Sequence, residues 1–332
     1  MPRIKIEASD VEFECASNDT ILRAALRAGI GMPYSCNVGS CGNCRFVLIE
    51  GEVEHNFKQA PAWSEREHKR NRWLGCQAAP KTDCIIKFRA DPDSISPNRP
   101  QKLSVSLLES RDITRDIKEF SFSLPSIIDF QPGQYALISH LGIKGGRAFS
   151  MSSQPRSEVW KFMIKRVPGG KLTDYLFDKA KLGEQFEIDG PFGTAYLRSD
   201  SPRDLILMAG GSGLSPMVSI AEAALVSAML DTRKLHFYYG ARTANDLFDL
   251  SIFSTALRKK MKFSMVLSDP AAGTDWPGAK GYLHDIVAQD FGKNLSSHEI
   301  YFAGPAIMSA AIQKAAHELD VPMNQLRFDE FY

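Results

Sequence analysis

The sequence predicts a multidomain protein with three folds in succession: an α+β domain, an antiparallel β-barrel and an α/β domain with a parallel sheet. Three observations carry that expectation. Four cysteines, Cys36, Cys41, Cys44 and Cys76, lie within the first ninety residues. Short alternating runs with almost no helix fill the middle of the chain. From Pro202 the rhythm changes to an apolar strand followed by a helix, repeated. The expected boundaries are a first domain over 1–90, a linker over 91–101, a barrel over 102–199 and a nucleotide-binding domain over 200–332. At 332 residues the chain can bury two or three cores.

Composition narrows the partners. A net charge of +1 gives no polyanion-binding surface, so nucleic acid is not expected as a partner. Met1-Pro-Arg-Ile-Lys-Ile-Glu7 opens directly into a strand-like run without an apolar signal segment, and no stretch of 18 apolar residues occurs. The expectation is a cytoplasmic protein without a membrane span. Cys15 and Cys84 fall inside strand-like runs and read as buried, inert thiols.

In the first domain, Arg3–Ala8 and Val11–Cys15 read as strands joined at Ser9-Asp10. Asn18 or Asp19 can cap a helix whose apolar face is Ile21, Leu22, Ala25 and Leu26, with Gly29 ending it. Then comes Cys36-Asn-Val-Gly-Ser-Cys41-Gly-Asn-Cys44, followed by strands at Arg45–Glu50 and Cys84–Phe88. The spacing C-x4-C-x2-C with a distant fourth cysteine is the plant-type pattern for a [2Fe–2S] cluster, each iron taking two thiolates. Gly39 and Gly42 let so tight a loop bend and aim its N–H groups at sulfur. Zinc normally asks for two short cysteine knuckles, and disulfides for an oxidising compartment; the spacing fits neither well. Asp91–Pro100, with three prolines, reads as the linker.

The barrel strands are expected at Leu103–Leu108, Ile117–Leu124, Gln134–Ile138, Val159–Val167 and Gln185–Ile188, with one helix at Leu172–Ala180. In the last domain Leu205–Ala209 is apolar throughout, as a strand buried on both faces must be. Ser215-Pro216 reads as cap and first turn of a helix. Leu235–Tyr239, Phe263–Leu267 and Glu299–Ala303 supply further strands, and Pro305 opens another helix. Together they suggest a doubly wound fold.

Gly210-Gly-Ser-Gly213 lies between strand and helix, where backbone N–H groups and the helix dipole favour a pyrophosphate. It lacks the G-x-G-x-x-G spacing and, taken alone, is equally compatible with a plain tight turn. Arg147-Ala-Phe-Ser150, read as following a barrel strand, offers a guanidinium for a diphosphate and a ring to stack on a flat cofactor. A surface arginine beside a core phenylalanine would look the same.

The cluster loop, Arg147-x-Phe-Ser150, Gly190-Pro-Phe-Gly193, Gly210-Gly-Ser-Gly213, Ala303-Gly-Pro305 and an aromatic C-terminus occur in one order. That order resembles the reductase components of bacterial multicomponent oxygenases, in which a plant-type ferredoxin domain is joined to a ferredoxin-NADP reductase-like module. The resemblance spans the chain and is nearest to reductases of toluene monooxygenase and carbazole dioxygenase systems, through Tyr34-Ser-Cys36, Asn71-Arg72 and Phe328-Asp-x-Phe331.

The resemblance implies a β-grasp ferredoxin fold for the first domain, with Cys36, Cys41, Cys44 and Cys76 as iron ligands. It also implies FAD in the barrel. Arg147 would bind the FAD diphosphate, Ala148 would be among the cofactor-binding residues, Phe149 would lie against the flavin, where the family usually has tyrosine, and Ser150 would hydrogen-bond near flavin N5. Ile164, Lys165 and Val167 would make backbone contacts to the flavin. Gly170-Lys171-Leu172-Thr173 would form a phosphate-facing turn. Gly210, Gly211, Ser212 and Gly213 would bracket the nicotinamide nucleotide with Ala303, Gly304 and Pro305, where many relatives carry cysteine at Ala303 and proline at Ala306. Phe331, with Tyr332 second, would shield the flavin, so Ser150 and Phe331 are the residues expected at the hydride step. Arg242 could hold a 2′-phosphate, whereas the family points to NADH, with NADPH as the alternative donor. Asp246 is near in sequence without being placed by any spacing rule.

The implied activity runs from NADH to FAD to [2Fe–2S] and out to a terminal oxygenase, Rieske or di-iron and acting on aromatic compounds, or to a small ferredoxin. The partner is expected to meet a monomer transiently over Asn37–Asn43. The alternatives are the same chain of carriers serving a deoxysugar dehydratase, or a redox sensor without turnover.

Overall fold

The computed structural model describes residues 1–269 and 276–331. They form two compact units. The first comprises Met1–Lys102 with the short stretches Gly146–Ala148 and Asp189–Thr194; the second holds Leu103–Gly145, Phe149–Ile188 and the described residues from Ala195 onward.

The first unit is built on a five-stranded sheet. Strands β1 (Arg3–Ile6) and β2 (Glu12–Glu14) form the expected hairpin, and α1 (Ile21–Arg27) follows. Strands β3 (Arg45–Glu50) and β4 (Val53–His55), helix α2 (Glu65–Lys69), then β5 (Arg72–Leu74), β6 (Ala78–Pro80) and β7 (Cys84–Lys87) complete it. The order is β2-β1-β7-β3-β5, with β1 and β7 parallel and the other pairs antiparallel, while β4 and β6 pair separately. Helix α1 buries Ile21, Leu22, Ala24, Ala25 and Leu26.

Its cap differs from expectation. Thr20 is the N-cap and makes no side-chain cap bond. The Asp19 carboxylate instead accepts from Thr20 N–H and pairs with Arg27 one helix length away. Gly29, at φ +78°, ends the helix as expected. The linker is ordered at its start: Asp91 N–H donates to Gly31 O, and Pro92–Ser94 forms a short turn under the Asp91 carboxylate. The polar stretch leading to Trp73 contains α2 and the start of β5, both too short for periodicity to reveal.

Strands β8 (Gln101–Thr114), β9 (Ile117–Ser123), β10 (Tyr135–His140), β11 (Ile143–Ser150), β12 (Val159–Lys165) and β13 (Gln185–Phe192) form one six-stranded sheet, with α3 (Lys171–Asp178) as its helix. The order is β11-β10-β13-β8-β9-β12. The two edges meet where Met151, just past β11, bridges Phe162 of β12, so the sheet closes on itself as a barrel. Its core includes Phe120, Phe122, Phe130, Trp160 and Phe162. The Arg147–Ser150 motif is the end of β11, inside the strand rather than after it. Lys144-Gly-Gly-Arg147 hides this strand from any alternation test.

The remaining strands are β14 (Leu205–Gly210), β15 (Leu235–Ala241), β16 (Met261–Leu267), β17 (Ala279–Lys280), β18 (Glu299–Pro305) and β19 (Leu326–Phe331). They form a fully parallel sheet in the order β17-β16-β15-β14-β18-β19. Helices α4 (Leu214–Val226) and α5 (Thr255–Lys260) pack on one face, α6 (Leu283–Phe291) and α7 (Ala306–Glu318) on the other. Burial on both faces explains the unbroken apolar run of β14. Among the described residues no helix is long and apolar enough to cross a membrane.

Candidate functional site

The first site is the loop between α1 and β3. Three cysteines in nine residues force repeated reversals, met by Asn37 at φ +55°, Gly39 at +92° and Gly42 at +80°. A Cβ at Gly42 would lie 2.7 Å from the Arg45 guanidinium, so loop and cation are in close contact. The N–H groups of Ser40 and Cys41 donate to Cys36 Sγ, both at 3.3 Å. Cys76 N–H donates to Cys44 Sγ at 3.5 Å, and Gln77 Nε2 to Cys76 Sγ at 3.7 Å.

The four sulfurs stand as two pairs. The Cys41 thiol hydrogen-bonds to Cys36 and holds its thiol below the ordinary value, while the shared bond pushes Cys41 up. Cys44 is lowered in the same way by Cys76, whose own thiol is raised. Among the described residues no group of His, Cys, Asp or Glu closes round a single ion. Two sulfur pairs, each able to share one iron, fit a two-iron cluster, and peptide N–H groups already turned toward sulfur suit thiolate rather than thiol. Cys44 and Cys76 are buried, whereas Cys36 and Cys41 are half-exposed, so the loop side is the open rim. By contrast Cys15 is buried with its thiol pushed up to about 12 by burial and Asp19, and Cys84 is also raised by burial: neither is poised to react.

Sequence reasoning missed the supports of this loop. Arg23, on the polar side of α1, donates to Asn37 Oδ1 and to Cys76 O, both at 3.3 Å. The only sequence signal was a cation within a short apolar helix. Gln77 was visible only as the neighbour of Cys76. Tyr34 accepts at its hydroxyl from Gly193 N–H at 2.8 Å, which gives the Gly190–Gly193 motif a partner inside the same unit.

The second site lies at the carboxyl ends of β14 and β18. Chain order reverses between these two strands, the crevice where open α/β sheets bind nucleotides. The Gly210–Gly213 turn leads straight into α4, whose N-cap is Gly213. A Cβ on Gly213 would stand 1.9 Å from Ala303 O, so only glycine allows the turn to seat against β18. The structure therefore brings Gly210, Gly211, Ser212 and Gly213 together with Ala303, Gly304 and Pro305. In the parallel register Phe331 faces Pro305 and Asp329 faces Ala303, and burial pushes the Asp329 carboxyl up to about 7. Tyr332 lies outside the described residues. Arg242 is exposed just past β15. Asp246 is engaged elsewhere: it closes a capping box with Thr243 and pairs with Arg115 at 2.8 Å.

Ser215 is not the helix cap. Gly213 takes that position because the turn passes directly into the helix, and Ser215 sits in the first turn. There its hydroxyl donates to Ser150 O at 2.6 Å and accepts from Met163 N–H at 3.1 Å. One buried hydroxyl thus joins the end of β11 and the middle of β12 to the first turn of α4. Lys165, on β12, lies beside the glycine turn: a Cβ on Gly211 would be 3.7 Å from its side chain. Ile164 is buried in the barrel core.

Arg147 and Phe149 alternate on β11, Arg147 exposed and Phe149 partly buried against the barrel core. A guanidinium can pair with a diphosphate, and an aromatic ring can lie against a flat cofactor. The Gly170–Thr173 turn is closed by its own hydroxyl: Thr173 Oγ1 donates to Gly170 O at 3.1 Å and accepts from Val167 N–H at 3.2 Å. Lys171 and Leu172 begin α3, with Leu172 buried. At Gly169 the turn faces open space.

The chain matches three families in order: a 2Fe-2S iron-sulfur cluster binding domain over residues 4–81, an oxidoreductase FAD-binding domain over 104–196, and an oxidoreductase NAD-binding domain over 207–314. It is 34% identical over 342 residues to the ferredoxin–NAD(P)(+) reductase CarAd of Metapseudomonas resinovorans, covering 100% of both chains. It is also 34% identical to the ferredoxin–NAD(+) reductase component of the alkene monooxygenase system of Xanthobacter autotrophicus, covering 96% of this chain and 97% of that one. A solved ferredoxin reductase in carbazole 1,9a-dioxygenase superposes with a TM-score of 0.92 at 31% identity, covering 100% and 98%. The cofactors are therefore a [2Fe–2S] cluster, FAD and a nicotinamide nucleotide. The chain belongs to the NAD(P)H-dependent flavin iron–sulfur oxidoreductases that form the reductase components of multicomponent oxygenases.

Proposed function

We propose that this protein takes electrons from NADH and delivers them singly, through its iron–sulfur loop, to a terminal oxygenase or to the small ferredoxin that feeds one. The observation that carries the reading is the Ser215 joint. It holds a flavin-barrel strand and the nicotinamide-side helix in fixed register, which hydride transfer requires. Bound flavin supplies the conversion from hydride to single electrons, which neither a nicotinamide nor a cluster can do alone.

Each residue then has a bounded task. Arg147 and the Gly170–Thr173 turn hold the FAD diphosphate, and Phe149 packs on the ring. Ile164 and Lys165 present backbone groups along its edge, Val167 shapes the neighbouring turn through its bonds to Thr173 and Gly170, and Ser150 offers a hydroxyl near N5. The Gly210–Gly213 turn and Ala303–Pro305 bracket the nucleotide, with α4 directing its N-terminal N–H groups at the diphosphate. Phe331, opposite Pro305, covers the flavin face until the nicotinamide enters. The cysteine pairs ligate the irons. The half-exposed Cys36–Cys41 rim is where an acceptor docks, briefly, because the surface it offers is small.

Anaerobic stopped-flow with NADH tests this. Flavin absorbance is expected to bleach first and cluster absorbance second. A flavin that stays oxidised overturns the reading.

A further inference from the structure

Asn37 follows the first cluster cysteine and is 1% exposed. It adopts φ +55°, a left-handed conformation that asparagine tolerates better than most residues. Its amide is used at one end only. Oδ1 accepts from Arg23 Nε at 3.3 Å, which fixes the orientation of the group, because a guanidinium can only donate. Nδ2 is shut off from water with no acceptor among the described residues. A buried donor left without a partner is costly, and it sits in a loop whose other N–H groups already turn to Cys36 sulfur.

We infer that Asn37 Nδ2 donates a hydrogen bond to a sulfur of the iron–sulfur cluster, and that Arg23 is the positioning residue that holds the amide for it. The inference rests on the reading that Cys36, Cys41, Cys44 and Cys76 bind a [2Fe–2S] cluster. A sulfur carries more negative charge in the reduced cluster, so the bond is stronger after the electron arrives, and Asn37 raises the reduction potential. Arg23 adds to this through its own charge, since its guanidinium also reaches Cys76 O.

The test uses the purified holoprotein. Iron, sulfide and the visible spectrum first establish the cluster, and a wild-type protein without it fails the underlying reading rather than this inference. Asn37→Gly removes the donor and keeps the left-handed backbone. The expected result is a cluster retained at wild-type occupancy whose one-electron reduction is about tenfold less favourable, a midpoint about 59 mV lower by spectroelectrochemistry. Arg23→Lys is expected to lower it less, since the charge stays while the fixed fork is lost. An unchanged midpoint in Asn37→Gly overturns the inference. If that variant loses its cluster, the wild type still decides: with asparagine side-chain amides labelled with 15N, pulsed EPR of the reduced cluster is expected to show a coupled nitrogen, and no coupling overturns the inference.

Discussion

The cysteine loop and the glycine turn are both short stretches built to hold a group the chain cannot make, yet they work in opposite ways. In Cys36–Cys44 the ligands are side chains, and the backbone bends to serve them: three positive-φ residues in nine positions and no regular structure. In Gly210–Gly213 the proposed ligand is the backbone itself, aligned by a buried strand before it and a helix after it. A loop of the first kind is held by side-chain and sulfur hydrogen bonds, such as Arg23 to Asn37 and the Ser40 and Cys41 N–H groups to Cys36 Sγ. A turn of the second kind is set by the strand and the helix on either side of it. The lesson is that a side-chain site announces itself by residue spacing, whereas a backbone site is defined by the fold around it.

Breaking each region separately sharpens that contrast. The largest effect is expected from Cys41→Ser. Flavin reduction by NADH stays near wild type, while electron transfer to cytochrome c falls to background; undiminished transfer would mean that electrons bypass the cluster. Gly213→Ala acts on the other region. Its methyl group meets Ala303 O, so a loss of about 3 kcal/mol in stability and a raised KM for NADH are expected, with cluster absorbance unchanged. Thermal unfolding and steady-state kinetics check both parts.

Smaller changes probe what supports each site. Ser215→Ala leaves Met163 N–H without its acceptor and frees the end of β11, costing about 1–3 kcal/mol. The rate of flavin bleaching should fall roughly tenfold as the two carriers lose register, while the cluster potential stays put. In the first unit, buried His55 stacks on Trp63, with ring centroids 4.0 Å apart, and burial lowers its pKa to about 4. The unfolded ring titrates near 6.5, so between these values only the unfolded chain takes the proton. His55 therefore contributes no penalty above about pH 6.5. Stability falls by about 3 kcal/mol as pH drops toward 4 and then levels off. His55→Phe should flatten that slope in unfolding followed by tryptophan fluorescence, and an identical slope would remove His55 as its source.

What could be read in the sequence follows the same division. The grouping of Cys36, Cys41, Cys44 and Cys76 was legible because the proposed iron ligation would fix residue type and spacing together. The parallel sheet was legible in Leu205–Ala209, since burial on both faces demands an unbroken apolar run. The supports were not. Ser215 read as a cap because serine before proline usually is one; its actual partners, Ser150 and Met163, are more than fifty residues away and carry no local signal. Strand β11 was hidden by glycines and charges that only barrel closure makes extended. Arg23 and Asn37 meet across the first domain with nothing in their spacing to connect them.

The most direct measurement is an electron count on the purified chain. Dithionite titrated under argon should be consumed to about three electrons per chain, two bleaching the flavin and one producing the signal of a reduced [2Fe–2S] centre in EPR. An endpoint at two electrons without that signal, or at one without a flavin change, would contradict the account.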